Sequence, residues 1–409
     1  MNVFVPVILA AIVIDYAVGL AADLFNLKAL RLEVPELLRD IYKSEDYRRS
    51  QEYTRVTTIF GIISGTVVQG AILVFWFAGG FSVVDRLVRS PGLPVIIEGI
   101  LFIGILLAGY ALLELPFNIY RTFVIEERFG FNRTTRATFL LDRLKGLGLA
   151  LILGTPLLAG ILALFEYGGF YAWLYAWGAV TIYTLTVQFI APVWIMPLFN
   201  KFTPMSDGEL KEAILGYTRS VAFPVANVFV MDGSRRSTRS NTYFTGFGRN
   251  KRIALFDTLI KQHTVQEIVA VLAHEIGHYK KKHIIQGLVV SVLHTGIMLF
   301  LLSLFLKEPG LYRAFHTDQS VYTGLVFFSL LYTPVEMVLS VITNTISRAN
   351  EREADSFAAA TIKEPLNLIE SLKKLSANNL SNLTPHPFYV FVNYSHPPLL
   401  QRIRALMTK

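Results

Sequence analysis

Seven stretches of this chain are apolar enough and long enough to cross about 30 Å of hydrocarbon as helices. They lie near residues 3–25, 57–80, 95–117, 144–166, 170–198, 284–306 and 320–343. Repeated runs of about 20 apolar residues are rare in water-soluble cores. Composition agrees: the chain has 409 residues, 53% hydrophobic and 17% charged, where a soluble protein has about 45–50% and about 25%. The first run lacks a positive leading region and is too long in its apolar part for a cleaved signal peptide. The sequence therefore predicts a mainly α, multi-pass protein whose surroundings are a lipid bilayer. Residues 1–199 are expected to form a membrane region of five spans with basic loops. Residues 200–409 are expected to carry the chemistry together with spans six and seven.

Loop charges give an orientation. Loop 26–56 carries Lys28, Arg31, Arg39, Lys43, Arg48, Arg49 and Arg55, and loop 118–143 carries five arginines. Segments 199–283 and 344–409 are also rich in Lys and Arg, and under alternating topology all four fall on one side. The other side receives Arg86, Arg89, Lys307 and Arg313. The positive-inside rule then puts the N-terminus outside and the 199–283 segment and C-terminus in the cytoplasm. The net charge of +8 is thus explained by loops facing the cytoplasm, and no nucleic-acid partner is expected. Asp15, Glu98, Glu114, Glu336 and His294 sit within spans, where a charge is costly. Either they face a hydrated cavity or they form buried pairs near span ends.

Residues 265–273 have helical apolar periodicity and run into His274-Glu275-Ile276-Gly277-His278. On a helix, positions i and i+4 share a face, so both imidazoles can reach one zinc ion. Glu275 lies beside them and can take a proton from a water on that ion. Zinc lowers the pKa of such a water towards 7. With no cysteine in the chain, any metal must be held by His, Asp or Glu. A hydrolytic zinc site needs a third protein ligand and an open position. The helix expected to continue out of the seventh span offers Glu351, with Asp355 four residues on as a hydrogen-bond acceptor for a ligand histidine. Glu353 is a rival, and a solvated charged helix is the plainer alternative.

The pattern His274-Glu275-Ile276-Gly277-His278 followed by Glu351-Arg352-Glu353-Ala354-Asp355 resembles the type I CAAX prenyl proteases, integral-membrane zinc peptidases that trim prenylated proteins. Three further stretches share the resemblance: Tyr120–Asn132, Asn250–Leu259, and Tyr394-Ser395-His396-Pro397-Pro398-Leu399-Leu400 with Arg402. The resemblance covers nearly the whole chain. It implies seven helices enclosing a chamber, one zinc ion per chain, and His274, His278 and Glu351 as ligands with Asp355 behind them. It also implies that Glu275 is the general base and that His396 steadies the oxyanion, with peptide or lipidated protein as substrate. By the same resemblance, Asn241, Tyr243 and Phe244 lie on an edge strand beside the zinc, where substrate adds as another strand.

Segment 225–257 alternates β-prone and polar residues, which predicts a small antiparallel sheet with a hairpin turn at Gly248-Arg249-Asn250-Lys251. The basic stretch Ser234–Arg239 reads as a mobile loop or as a contact for a substrate carboxylate. The brief 307–319 region and the absence of a dilysine-type ending lead to the expectation of a bacterial, inner-membrane member. Such a source puts the prenyl requirement in question, so general membrane quality-control proteolysis is the alternative. A non-enzymatic scaffold with a dead site is disfavoured by the intact His274, Glu275, His278 and Glu351.

Overall fold

The structure, a computed structural model, describes residues 2–31, 33–225, 227–240, 242–245 and 252–408. Among the described residues, seven helices are long and apolar enough to span a membrane: Phe4–Ala29, Ser44–Phe77, Val95–Glu126, Arg136–Tyr167, Gly169–Phe199, His283–Phe305 and Val321–Thr361. Each overlaps one of the predicted stretches, with ends shifted by up to a few turns. In their most apolar windows no more than 17% of residues are buried within the protein. That much uncovered apolar surface needs hydrocarbon around it.

The seventh helix runs 41 residues without a break, roughly 60 Å at 1.5 Å per residue. Its first half belongs to the membrane body and its last turns carry Glu351 and Asp355. This continuity fastens Glu351 and Asp355 to a span.

Of the charged groups inside the spans, Asp15, Glu336 and His294 border cavities. Asp15 and Glu336 line a cavity of about 710 Å³ with Met298, Phe328 and Tyr332. Glu336 also pairs with His294 at 3.1 Å. Glu98 is buried near the start of the third span.

Residues 200–282 fold against the last helical turns. Four strands, β1 (Phe202–Pro204), β2 (Asn227–Met231), β3 (Thr242–Thr245) and β4 (Arg252–Phe256), form a sheet in the order β1-β2-β4-β3. The outer pairings β1–β2 and β3–β4 are antiparallel, as expected, but the central pair β2–β4 is parallel. A tight hairpin cannot make a parallel pair; it takes a crossover of a dozen or more residues. The connection 232–251 supplies one and carries β3 on its way back. The expected turn at Gly248–Lys251 lies outside the described residues.

The connection is anchored to the membrane region. Arg236 grips Asp142 through Nε and Nη2 at 2.8 and 2.9 Å. Arg239 reaches Glu126 at 3.0 Å and lies 4.4 Å over the Phe131 ring. The basic stretch Ser234–Arg239 is therefore a structural strap, and two of its arginines are engaged by membrane-region residues. Glu126 and Phe131 fall inside the 120–132 signature, which gives that signature a job: docking the catalytic part.

The helix Val265–Lys280 begins at a capping box. The Thr264 hydroxyl accepts from the Glu267 amide at 3.3 Å, and the Glu267 carboxylate accepts from the Thr264 amide at 3.0 Å. This satisfies amide groups that the first turn would otherwise leave unpaired. Ile268, Leu272 and Ile276, four apart, form the buried stripe. They join Ile253, Leu255, Ala358, Leu368 and Ile403 in one core. That core fixes the opposite face, which holds the histidines.

Gly277 sets how near this helix comes to the seventh. A Cβ built there would meet the Cα and carbonyl oxygen of Ala354 at 3.0 Å. Both are backbone atoms, so the helices would have to part. Gly277→Val is expected to cost about 1–3 kcal/mol by overpacking, read as a lower melting temperature in detergent. A variant that melts like wild type would contradict a contact this close.

Candidate metal centre and active site

The close approach at Gly277 brings three donor atoms together. His274 Nε2 and His278 Nε2 are 3.2 Å apart. Glu351 offers Oε2 to His274 at 3.3 Å and Oε1 to His278 at 3.2 Å. All three residues can point one ligand atom into a common space. Three donors bound about 2.0–2.2 Å from one tetrahedral ion would lie roughly 3.3–3.6 Å apart, and the observed spacings match. Glu353, the rival, turns away to pair with His283 at 3.4 Å and is half exposed.

The hydrogen bonding of the cluster also calls for a cation. His274 Nδ1 lies 2.8 Å from Asp355 Oδ1, so the proton of a neutral ring sits on Nδ1. Its Nε2 lone pair then faces a second lone pair on His278 and a carboxylate oxygen. Glu351 Oε2 is buried without a hydrogen-bond partner, an expensive state for a carboxylate oxygen. A divalent ion between the three donors resolves these repulsions, so the residues fit a metal with a two-histidine, one-carboxylate set.

Asp355 holds a second partner, one that the sequence reading named in a resembling stretch but gave no role. Arg402 donates to it through Nε at 2.8 Å and Nη2 at 2.6 Å. Arg402 Nη1 is also 3.6 Å from Glu351 Oε2. The guanidinium thus braces both carboxylates behind the donors. No spacing rule marks this residue, because it arrives from the C-terminal helix Leu399–Met407. His396 comes in with the same segment. Its Nε2 is 3.2 Å from Glu351 Oε1 and its ring is mostly exposed, so it borders the donors while staying reachable.

Glu275 points to the open side. It lines a cavity of about 540 Å³ with His278, His283, Ile284, Val290 and His294, between the sixth and seventh helices. Burial raises its carboxyl pKa above the ordinary value. The span residues of its wall are mixed, with Ile284, Val290 and Ile346 beside Ser291, Thr343 and Asn350.

β3 is an edge strand among the described residues and lies beside the helix Val265–Lys280. Tyr243 and Phe244 are in its middle, and Asn241 lies outside the described residues.

A chain with these spans and this donor set belongs to the class of multi-pass membrane metalloendopeptidases. Two family models cover it: "CAAX prenyl protease N-terminal, five membrane helices" over residues 23–201, and "Peptidase family M48" over residues 204–409. The chain is a member of peptidase family M48, in the group of the type 1 CAAX prenyl proteases. It is 36% identical to the CAAX prenyl protease 1 homolog of Arabidopsis thaliana, across 98% of this chain and 97% of that one. Identity is 34% to CAAX prenyl protease 1 of Saccharomyces cerevisiae, covering 93% and 89%. It is 32% to the CAAX prenyl protease 1 homolog of Homo sapiens, covering 92% and 89%. The crystal structure of S. mikatae Ste24p superposes with a TM-score of 0.93 at 33% identity, covering 99% of each chain. These relatives are eukaryotic and lend nothing to the expectation of a bacterial source.

Burial by itself would lower the His274 pKa, but the Asp355 and Glu351 carboxylates outweigh it and raise the pKa to about 9. Without an ion, a proton on His274 Nε2 takes its place against Glu351 Oε2, 3.3 Å away, and metal must displace that proton. Zinc binding to stripped protein at pH 7.5 is expected to release close to one proton from this ring, and progressively less as pH rises past 9. Calorimetry in buffers of different ionisation enthalpy measures the release. A value near zero at pH 7.5 would contradict a charged His274.

Proposed function

We propose that this chain hydrolyses peptide bonds of prenylated, CAAX-type substrates at the membrane, using one zinc ion held by His274, His278 and Glu351. One observation carries the reading. The donor His278 and Glu275 line a cavity between two membrane spans, where apolar Ile284, Val290 and Ile346 alternate with polar Ser291, Thr343 and Asn350. Such a site suits a substrate with a peptide end and a lipid end. No observation favours general quality-control proteolysis.

The bound ion would supply a Lewis acid that activates water and polarises the scissile carbonyl. Glu275 is the general base: its carboxylate accepts the proton of the attacking water and passes it to the departing amine nitrogen. Its raised pKa suits both transfers, since an acid–base group works best when its pKa nears the working pH. His396 donates a hydrogen bond to the oxygen that gains negative charge. Asp355 accepts from His274 Nδ1 and so fixes that ring's tautomer and direction. The substrate main chain pairs with the free edge of β3 near Asn241, Tyr243 and Phe244, giving affinity with little sequence preference.

The functional division places spans one to five in 1–199 and the catalytic machinery in 200–409. The charge asymmetry of the loops supports an N-terminus outside and a catalytic side in the cytoplasm, in the inner membrane if the source is bacterial.

Glu275→Gln is expected to keep its zinc and lose cleavage by about 10²–10⁴-fold, the usual worth of a general base. Turnover at the wild-type rate would remove Glu275 from that role. The substrate reading is tested with farnesylated and unlipidated forms of one peptide on purified protein. Faster cleavage of the farnesylated form is expected, and equal rates would overturn the prenyl preference.

A further inference from the structure

His278 has a partner outside the motif that contains it. Its Nε2 faces His274 and Glu351, so its Nδ1 points away from the donor cluster. There it meets Nδ1 of His283 at 3.1 Å, with ring centroids 5.1 Å apart and planes at 73°. His283 is buried, and its Nε2 lies 3.4 Å from Glu353 Oε2.

The chemistry of imidazole sets the direction of this chain of contacts. A neutral ring that gives one lone pair to a metal carries its hydrogen on the other nitrogen. As a ligand through Nε2, His278 must therefore donate from Nδ1. His283 can accept at Nδ1 only as the tautomer protonated at Nε2. Glu353, an acceptor beside Nε2, selects that tautomer. The arrangement parallels the one on His274, where Asp355 accepts from Nδ1 at 2.8 Å. Each metal-facing histidine thus has its own acceptor behind it.

The backbone takes a costly route to produce the contact. His283 opens the sixth span, and Lys282 just before it adopts φ 61°, a left-handed conformation unfavourable for a residue with a Cβ. That turn swings the first residue of the span beneath the catalytic helix. One helical turn further on, Asn350 Nδ2 donates to Gln286 Oε1 at 2.9 Å, joining the same two spans again.

We propose that His283 is a positioning residue for the metal centre: it fixes the tautomer and ring direction of His278, with Glu353 fixing its own. The proposal rests on the reading of His274, His278 and Glu351 as the ligands. It ties metal affinity to the seating of the sixth span, since the residue that orients the ligand is the first of that span.

The test is zinc affinity of full-length, metal-stripped protein in detergent, measured by competition with a chromophoric chelator. His283→Leu is expected to bind zinc about 10–100-fold more weakly, the usual loss when an outer partner of a ligand is removed. His283→Asn, which keeps an acceptor oxygen near the Nδ1 position, is expected to recover most of that loss. Wild-type affinity in His283→Leu would overturn the proposal. So would equal losses in the Leu and Asn variants, which would make His283 a space-filling residue. Thermal unfolding of the metal-free variants shows whether each is folded. If His283→Leu is not, Glu353→Leu decides, with a several-fold loss expected and an unchanged affinity overturning the relay. Glu351→Ala is measured alongside. Wild-type affinity in that variant would overturn the ligand reading itself, whereas its loss of zinc with no change in His283→Leu would overturn only the role of His283.

Discussion

The cluster of His274, His278 and Glu351 depends on how closely two helices approach at one glycine. Gly277 lets the helix Val265–Lys280 rest on the backbone of Ala354, and only at that distance do carboxylates of one helix reach imidazoles of the other. Either helix without its partner is ordinary: one an amphipathic segment with two histidines, the other the charged extension of a membrane span. Chemistry arises where they touch. The contact is held from behind by a core of Ile268, Leu272 and Ile276 against the sheet and the C-terminal helices, so the polar face has little freedom to shift.

Around that contact, charge is arranged in layers. Asp355 is shared between His274 and Arg402, both within 2.8 Å. Arg402 also approaches Glu351, and after the imidazole hydrogen bonds it helps hold both buried acids below their ordinary pKa values. Without the guanidinium, two carboxylates this close would repel each other in a low-dielectric setting. The buried lone pairs that remain, on Glu351 and the imidazoles, then converge on one point and suit a cation. The metallopeptidase family to which the chain belongs is consistent with that electrostatic requirement.

Local signals were legible in the sequence and long-range ones were not. The seven spans were readable because each is a continuous apolar run, and the histidine pair because i, i+4 spacing has one meaning on a helix. Thr264 and Glu267 marked the start of that helix by their own chemistry. The choice between Glu351 and Glu353 could not come from spacing, since both lie on one charged helix. It turns on which face meets Gly277. The parallel pairing of β2 with β4 was hidden for a similar reason: alternation identifies strands, while their relative direction depends on the path of the connection 232–251. That path is set by Arg236 on Asp142 and Arg239 on Glu126. The role of Arg402, and His283 altogether, escaped the sequence because each is brought to the site by a tertiary turn. The turn at Lys282 carries no glycine or proline to announce it.

The central claim is that Glu351, and not its neighbour Glu353, completes a one-zinc site with the two imidazoles. Elemental analysis of purified wild-type, Glu351→Ala and Glu353→Ala protein tests it most directly. The account predicts about one zinc per chain in wild type and in Glu353→Ala, and a large loss in Glu351→Ala. Full zinc in Glu351→Ala, or none in wild type, would contradict it.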